Sequence, residues 1–143
     1  VGLLLNLKRN EEAEHVLQEG LRLNPHDTSF AMLLARLQVE RGAELLALDT
    51  LQKNLPDAKD QADYQAFMAV LMQRQNRHQE AIVFFQAALQ LAPNKGVWLM
   101  GMGMSLQATQ HNEDAKDAYT RALASNSLSA QLQDFVKKKL KEL

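Results

Sequence analysis

The chain has 143 residues, 46% of them hydrophobic, and its 16 basic residues against 17 acidic ones leave a net charge of -1. So even a balance sets up no global field toward nucleic acid or an anionic membrane, and the absence of cysteine excludes disulfides, thiol nucleophiles and thiolate-bound metal. With six glycines and three prolines the chain can form long helices, and the composition is that of an all-α protein.

The first seven residues, Val1-Gly2-Leu3-Leu4-Leu5-Asn6-Leu7, form an apolar run too short to span a bilayer and without the basic start of a signal peptide. They read as a helix cut open, so the chain is expected to be the carboxy-terminal part of a longer protein. Polar punctuation at Lys8-Arg9-Asn10, Arg41-Gly42, Gln75-Asn76-Arg77 and Gln110-His111-Asn112 marks turns between paired helices. Stops at Asn24-Pro25, Asn54-Leu55-Pro56, Ala92-Pro93 and Asn126-Ser127 separate one pair from the next. The predicted helices therefore run 1–8, 11–23, 28–41, 43–54, 60–75, 78–91, 96–109, 112–124 and 128–142. Asn10 and Asn112, each just before a pair of acidic residues, are expected to be N-caps. In the last helix Leu128, Leu132, Phe135, Val136, Leu140 and Leu143 make an apolar stripe flanked by Lys137, Lys138, Lys139 and Lys141. That is the pattern of a helix capping a stack, and without interleaved aromatics the lysines do not form a nucleic-acid surface.

Ala13, Ala47, Ala81 and Ala115 are spaced 34 residues apart. Each is followed four residues later by a large side chain (Leu17, Leu51, Phe85, Tyr119) and eight later by a leucine, along one helical stripe. A repeated helix-turn-helix unit of this length, with small residues at fixed positions, resembles the tetratricopeptide repeat. The resemblance is carried by Met68-Ala69, Ala81, Phe85, Ala88 and Pro93 in one unit and by Trp98, Met102-Gly103, Ala115, Tyr119 and Ala122 in the next. It implies an all-α right-handed superhelix of antiparallel helix pairs: a truncated repeat over 1–27, repeats over 28–61, 62–95 and 96–127, and a capping helix over 128–143.

A narrower resemblance lies in Gly96-Val97-Trp98-Leu99-Met100-Gly101-Met102-Gly103-Met104-Ser105-Leu106-Gln107 and Ala118-Tyr119-Thr120-Arg121-Ala122-Leu123-Ala124-Ser125, with Leu128-Ser129 beyond. This part is similar to the carboxy-terminal repeats of MshN-type proteins, which serve biogenesis of the mannose-sensitive haemagglutinin type IV pilus. The resemblance implies pilus assembly components as partners and a location on the periplasmic side of a bacterial inner membrane, the alternative being cytoplasmic.

Two first helices, around residues 30–39 and 97–106, are apolar nearly all round, more than core packing requires. The 34-residue register leaves Met32, Leu33, Arg36, Phe67, Val70, Met100, Gly101 and Met104 facing outward, where tetratricopeptide repeats line a concave groove. A methionine-rich groove suits an apolar or helical protein segment. Gly101 has two readings: the floor of a recess walled by Phe67, Met100 and Met104, or room for Trp98 or close helix packing. The four histidines, His15, His26, His78 and His111, read as solvated surface, with no metal-ligand spacing, phosphate loop or nucleophile motif in the chain. The expectation is a non-catalytic interaction scaffold without cofactor, metal, nucleic acid or direct membrane contact. The alternatives are a regulatory arm of a larger enzyme and a self-associating homo-oligomer.

Overall fold

The computed structural model describes residues 2–143, with side chains from Lys8 onward, so the side chains of the opening apolar run lie outside the described residues. Among the described residues the secondary structure is entirely helical. The chain divides into two compact units, Val1–Asp60 and Gln61–Leu143.

In the first unit, α1 (Gly2–Leu23) and α3 (Glu44–Lys53) each pack on α2 (Thr28–Glu40), and a short 3-10 turn, Leu55–Asp57, follows. Asp27 starts α2: its carboxylate accepts the Phe30 amide at 3.2 Å, which satisfies one of the orphan donors of the first turn. Ala31, Ala35 and Ala47 are wholly buried, and Leu48 and Leu51 fill the space beside them. The polar groups in this core are partnered. Thr50 donates to the buried Gln38 carboxamide at 2.8 Å, and Arg41 pairs with the buried Glu14.

The second unit stacks α4 (Ala62–Arg74), α5 (His78–Leu91), α6 (Gly96–Ala108), α7 (Asn112–Ala124) and α8 (Ala130–Glu142), each against its successor. Ala81 and Ala115 have no exposed surface, and Phe85 and Tyr119, four residues on, are buried with them. On α8, Val136 is buried while Leu132, Phe135 and Leu140 are half-buried. The result is a solenoid of helix pairs.

Three local expectations are corrected. Lys8-Arg9-Asn10 makes no turn, and α1 runs straight through it to Leu23. The turns that do form place Gly42, Asn76 and Gln110, 34 residues apart, in the left-handed region at φ +83°, +60° and +65°. Lys8 stands at the equivalent position, and a lysine favours helix over that conformation. Asn112 is the first helical residue of α7 rather than its cap; His111 precedes it with no side-chain cap, and Asn10 lies inside α1. Finally, α8 starts at Ala130 because Ser129 caps it by accepting the Leu132 amide at 3.3 Å, leaving Leu128 buried ahead of the helix. The other helix ends fall within two residues of expectation.

Candidate interaction surface

On α2, Met32 is half-buried, Leu33 is 48% exposed and Arg36 is exposed, whereas Ala31, Leu34, Ala35 and Gln38 face the core. The second unit repeats the division. On α4, Phe67 is half-buried and Val70 is 39% exposed; on α6, Met100 and Met104 are half-buried. Spacings of three or four residues put Phe67 with Val70, and Met100 with Met104, on one face of each helix. Met68, Met72 and Met102 are core residues instead.

Gly101 departs from this pattern. It is buried, and a Cβ built on it would lie 2.6 Å from Phe85 Cζ and 3.0 Å from Cε1. The Phe85 ring from α5 therefore occupies the volume that a recess would need, and close helix packing accounts for the glycine. Gly103 does the same for α7, since its Cβ would meet Tyr119 Cδ1 and Cε1 at 2.8 Å. The apolar sequence of α6 thus holds two ring seats, one for each flanking helix. Trp98 fills neither: it is half-buried, with the Lys95 ammonium 5.6 Å from its ring centroid.

A polar group that the sequence reading missed lies at the other end of α6. Gln73 Nε2 donates to the Gly101 carbonyl at 2.7 Å and to Ser105 Oγ at 2.8 Å, and His78 Nδ1 meets the same hydroxyl at 3.0 Å. Beside them Tyr119 donates to Gln107 Oε1 at 2.9 Å, and Gln107 Nε2 donates to Glu142 at 3.2 Å. The Lys139 ammonium is 3.5 Å from that carboxylate. Burial, helped by the negative charge of Glu142, pushes the Tyr119 phenol up to about 12. Gln73, His78, Met104, Gln107, Tyr119 and Lys139 border a cleft of about 320 Å3. One signal was available in the sequence: Gln73 and Gln107 are themselves 34 residues apart.

The histidines are accordingly unequal. His78 is half-buried and bonded to Ser105, while His26 and His111, both exposed, bond to Asp57 and Thr109 at 2.9 Å. Ser105 is wholly buried, so the Ser105–His78 pair presents no nucleophile to solvent. Among the described residues no three acidic or histidine side chains are grouped to hold a metal, and no helix is long and apolar enough to cross a membrane.

Two family models match the sequence, both described as tetratricopeptide repeat, one over residues 3–66 and the other over residues 62–95. No curated protein matches it. Among solved structures, a crystal structure of MamA superimposes with a TM-score of 0.77 at 16% identity, covering 82% of this chain and 68% of that one. Another, of MamA AMB-1, gives 0.72 at 23% identity, covering 84% and 66%. The chain thus spans about two thirds of the length of these structures, and at such identities the likeness is one of fold.

Proposed function

We propose that this chain, whose residues 3–95 are tetratricopeptide repeats, is a non-catalytic scaffold that receives an apolar or helical protein segment on its methionine-bearing first helices. The observation that carries the reading is α6, which is packed on both sides and still leaves Met100 and Met104 half-open beside a half-exposed Val97. Apolar surface that remains after neighbouring helices have packed favours association, and unbranched methionines repack around different side chains. In the second unit the receiving residues are Phe67, Val70, Met100 and Met104; in the first they are Met32 and Leu33, with Arg36 at the polar edge. Gly101 takes no direct part.

The test uses an amphipathic helical peptide and protein labelled at the methionine methyls. Binding should shift the Met100 and Met104 resonances and leave Met68 in place. Met100→Lys should weaken it about tenfold or more, because a charge would have to be desolvated, with the circular dichroism spectrum unchanged. Absence of any shift at Met100 and Met104 would refute the proposal.

The finer part of the proposal places the scaffold in assembly of a type IV pilus of the mannose-sensitive haemagglutinin kind, on the periplasmic side of a bacterial inner membrane, with pilus assembly proteins as partners. Its support is the resemblance of residues 96–129 to MshN-type proteins. Deleting the Gln61–Leu143 unit in a piliated host should abolish piliation. Normal pili on such cells would dismiss this part while leaving the scaffold reading untouched.

A further inference from the structure

We infer that the cleft bordered by Gln73, His78, Gln107 and Lys139 holds an acidic side chain of the segment that docks on Met100 and Met104, its carboxylate taken by His78, Gln107 and Lys139. This rests on the docking face proposed above, and Met104 joins the two, being a wall of the cleft and part of that face.

Hydrogen-bond accounting selects the ligand. Gln73 spends both amide hydrogens, on Gly101 O and Ser105 Oγ. Thr109 and Thr120 donate back to the carbonyl four residues earlier, but for Ser105 that carbonyl belongs to Gly101 and is engaged by Gln73. With that carbonyl taken, we assign His78 Nδ1, 3.0 Å away, as the acceptor for the buried Ser105 hydroxyl, which places the ring proton on Nε2. His78 thus borders the cleft as a donor.

The other side of the cleft adds further donors. Gln107 uses its oxygen to accept from Tyr119 and one amide hydrogen on Glu142, so one hydrogen remains. Lys139 directs one of its three hydrogens toward Glu142 and stands 5.5 Å from the Phe135 ring centroid, a contact that takes no lone pair and leaves two hydrogens for an acceptor. Among the residues that border the cleft, two acceptors stand against these four donors, Gln73 Oε1 and the Tyr119 oxygen, with the Glu142 carboxylate beyond them already held by Gln107 and Lys139. A carboxylate, which only accepts, matches this set, whereas an ammonium would face Lys139 and find few acceptors. The exposed Lys137, Lys138 and Lys141 on the same helix add positive field. Glu142 opposes it and competes for Lys139, which fixes the sign of one test.

Three helical peptides, identical in their apolar stripe and carrying Glu, Gln or Lys at one central position, are titrated into the full chain while the Met104 methyl and the Gln107 side-chain amide are followed. The Glu peptide should bind about tenfold tighter than the other two, the worth of one charge-assisted contact. Lys139→Met should erase most of that preference without loss of Gln-peptide binding, and Glu142→Gln should enlarge it. Equal affinity for the Glu and Gln peptides, with Met100 and Met104 still shifting, overturns the inference and leaves the docking face standing. If none of the peptides shifts Met100 or Met104, both fall. Butyrate binding as tightly as the Glu peptide would mark a site for free acids and likewise overturn a docked side chain.

Discussion

Gly101→Ala separates close packing from an open recess, because the two give opposite signs. A carbon–carbon contact is most favourable at about 3.5–4.0 Å, and the new methyl would stand 2.6 Å from Phe85 Cζ. The ring tip would have to retreat by about 1 Å, and Phe85, only 1% exposed, would have to move within the core to do so. Overpacking of this kind costs about 1–3 kcal/mol. Alanine returns up to about 1 kcal/mol through its higher helix propensity. The net expectation is a loss of ~1–2 kcal/mol, read as a lower urea midpoint at unchanged slope by far-UV circular dichroism. In a Phe85→Leu background the clash disappears, and the same substitution should become neutral or stabilising. The two sites should therefore couple by about 1–3 kcal/mol in a double-mutant cycle. Gly101→Ala as stable as the native chain, with no coupling to Phe85, would refute the packing account and return the glycine to an open face.

Ala81→Leu, at a position with no exposed surface, should lower stability by about 1–3 kcal/mol, and an unchanged melting temperature would break the repeat alignment. Gln110→Gly should raise stability by up to ~1 kcal/mol, since it relieves a left-handed residue at φ +65° against the entropy of glycine; a lower urea midpoint would show instead that the Gln110 side chain contributes to the fold. The Tyr119 phenol, raised from 10.0 to about 12, keeps its proton in the folded chain at a pH where the unfolded chain gives it up. Its stabilising contribution is complete below pH 10 and lost as the pH rises toward 12, by up to about 3 kcal/mol. Over that window urea midpoints of the native chain should fall more steeply than those of Tyr119→Phe, and parallel curves would contradict the assignment.

The 34-residue spacing located what packs between helices because those positions admit one size of side chain. Ala47, Ala81 and Ala115 are all fully buried, and the same register holds for both ends of α2, α4 and α6 and for the starts of α3, α5 and α7. It failed at Lys8 because a register carries a position and not the backbone conformation demanded there: Gly42, Asn76 and Gln110 accept a left-handed φ, and the chain continues as helix at Lys8. Gly101 failed for a related reason. Of its equivalents, Leu33 is half-exposed and Phe67 half-buried, but a glycine projects nothing, and the neighbouring Phe85 takes the vacant volume. In a helix as uniformly apolar as α6, hydrophobicity alone does not distinguish the face that packs from the face that stays open.

The polar cleft was harder to read, because its bonds join residues whose separation the repeat does not fix. Gln73 and Gln107 occupy one repeat position and have different partners. Gln73 turns inward to Ser105 and Gly101, while Gln107 bridges Tyr119 to Glu142. The difference arises at α8, which brings Glu142 and Lys139 beside α6 and α7 and stands outside the repeated unit. The repeats supply a carboxamide at a fixed place, and the last helix decides which charges surround it. On the docking proposed above, discrimination among segments should therefore respond to substitutions on α8, whereas substitutions at the repeated apolar positions should change the affinity for every segment alike.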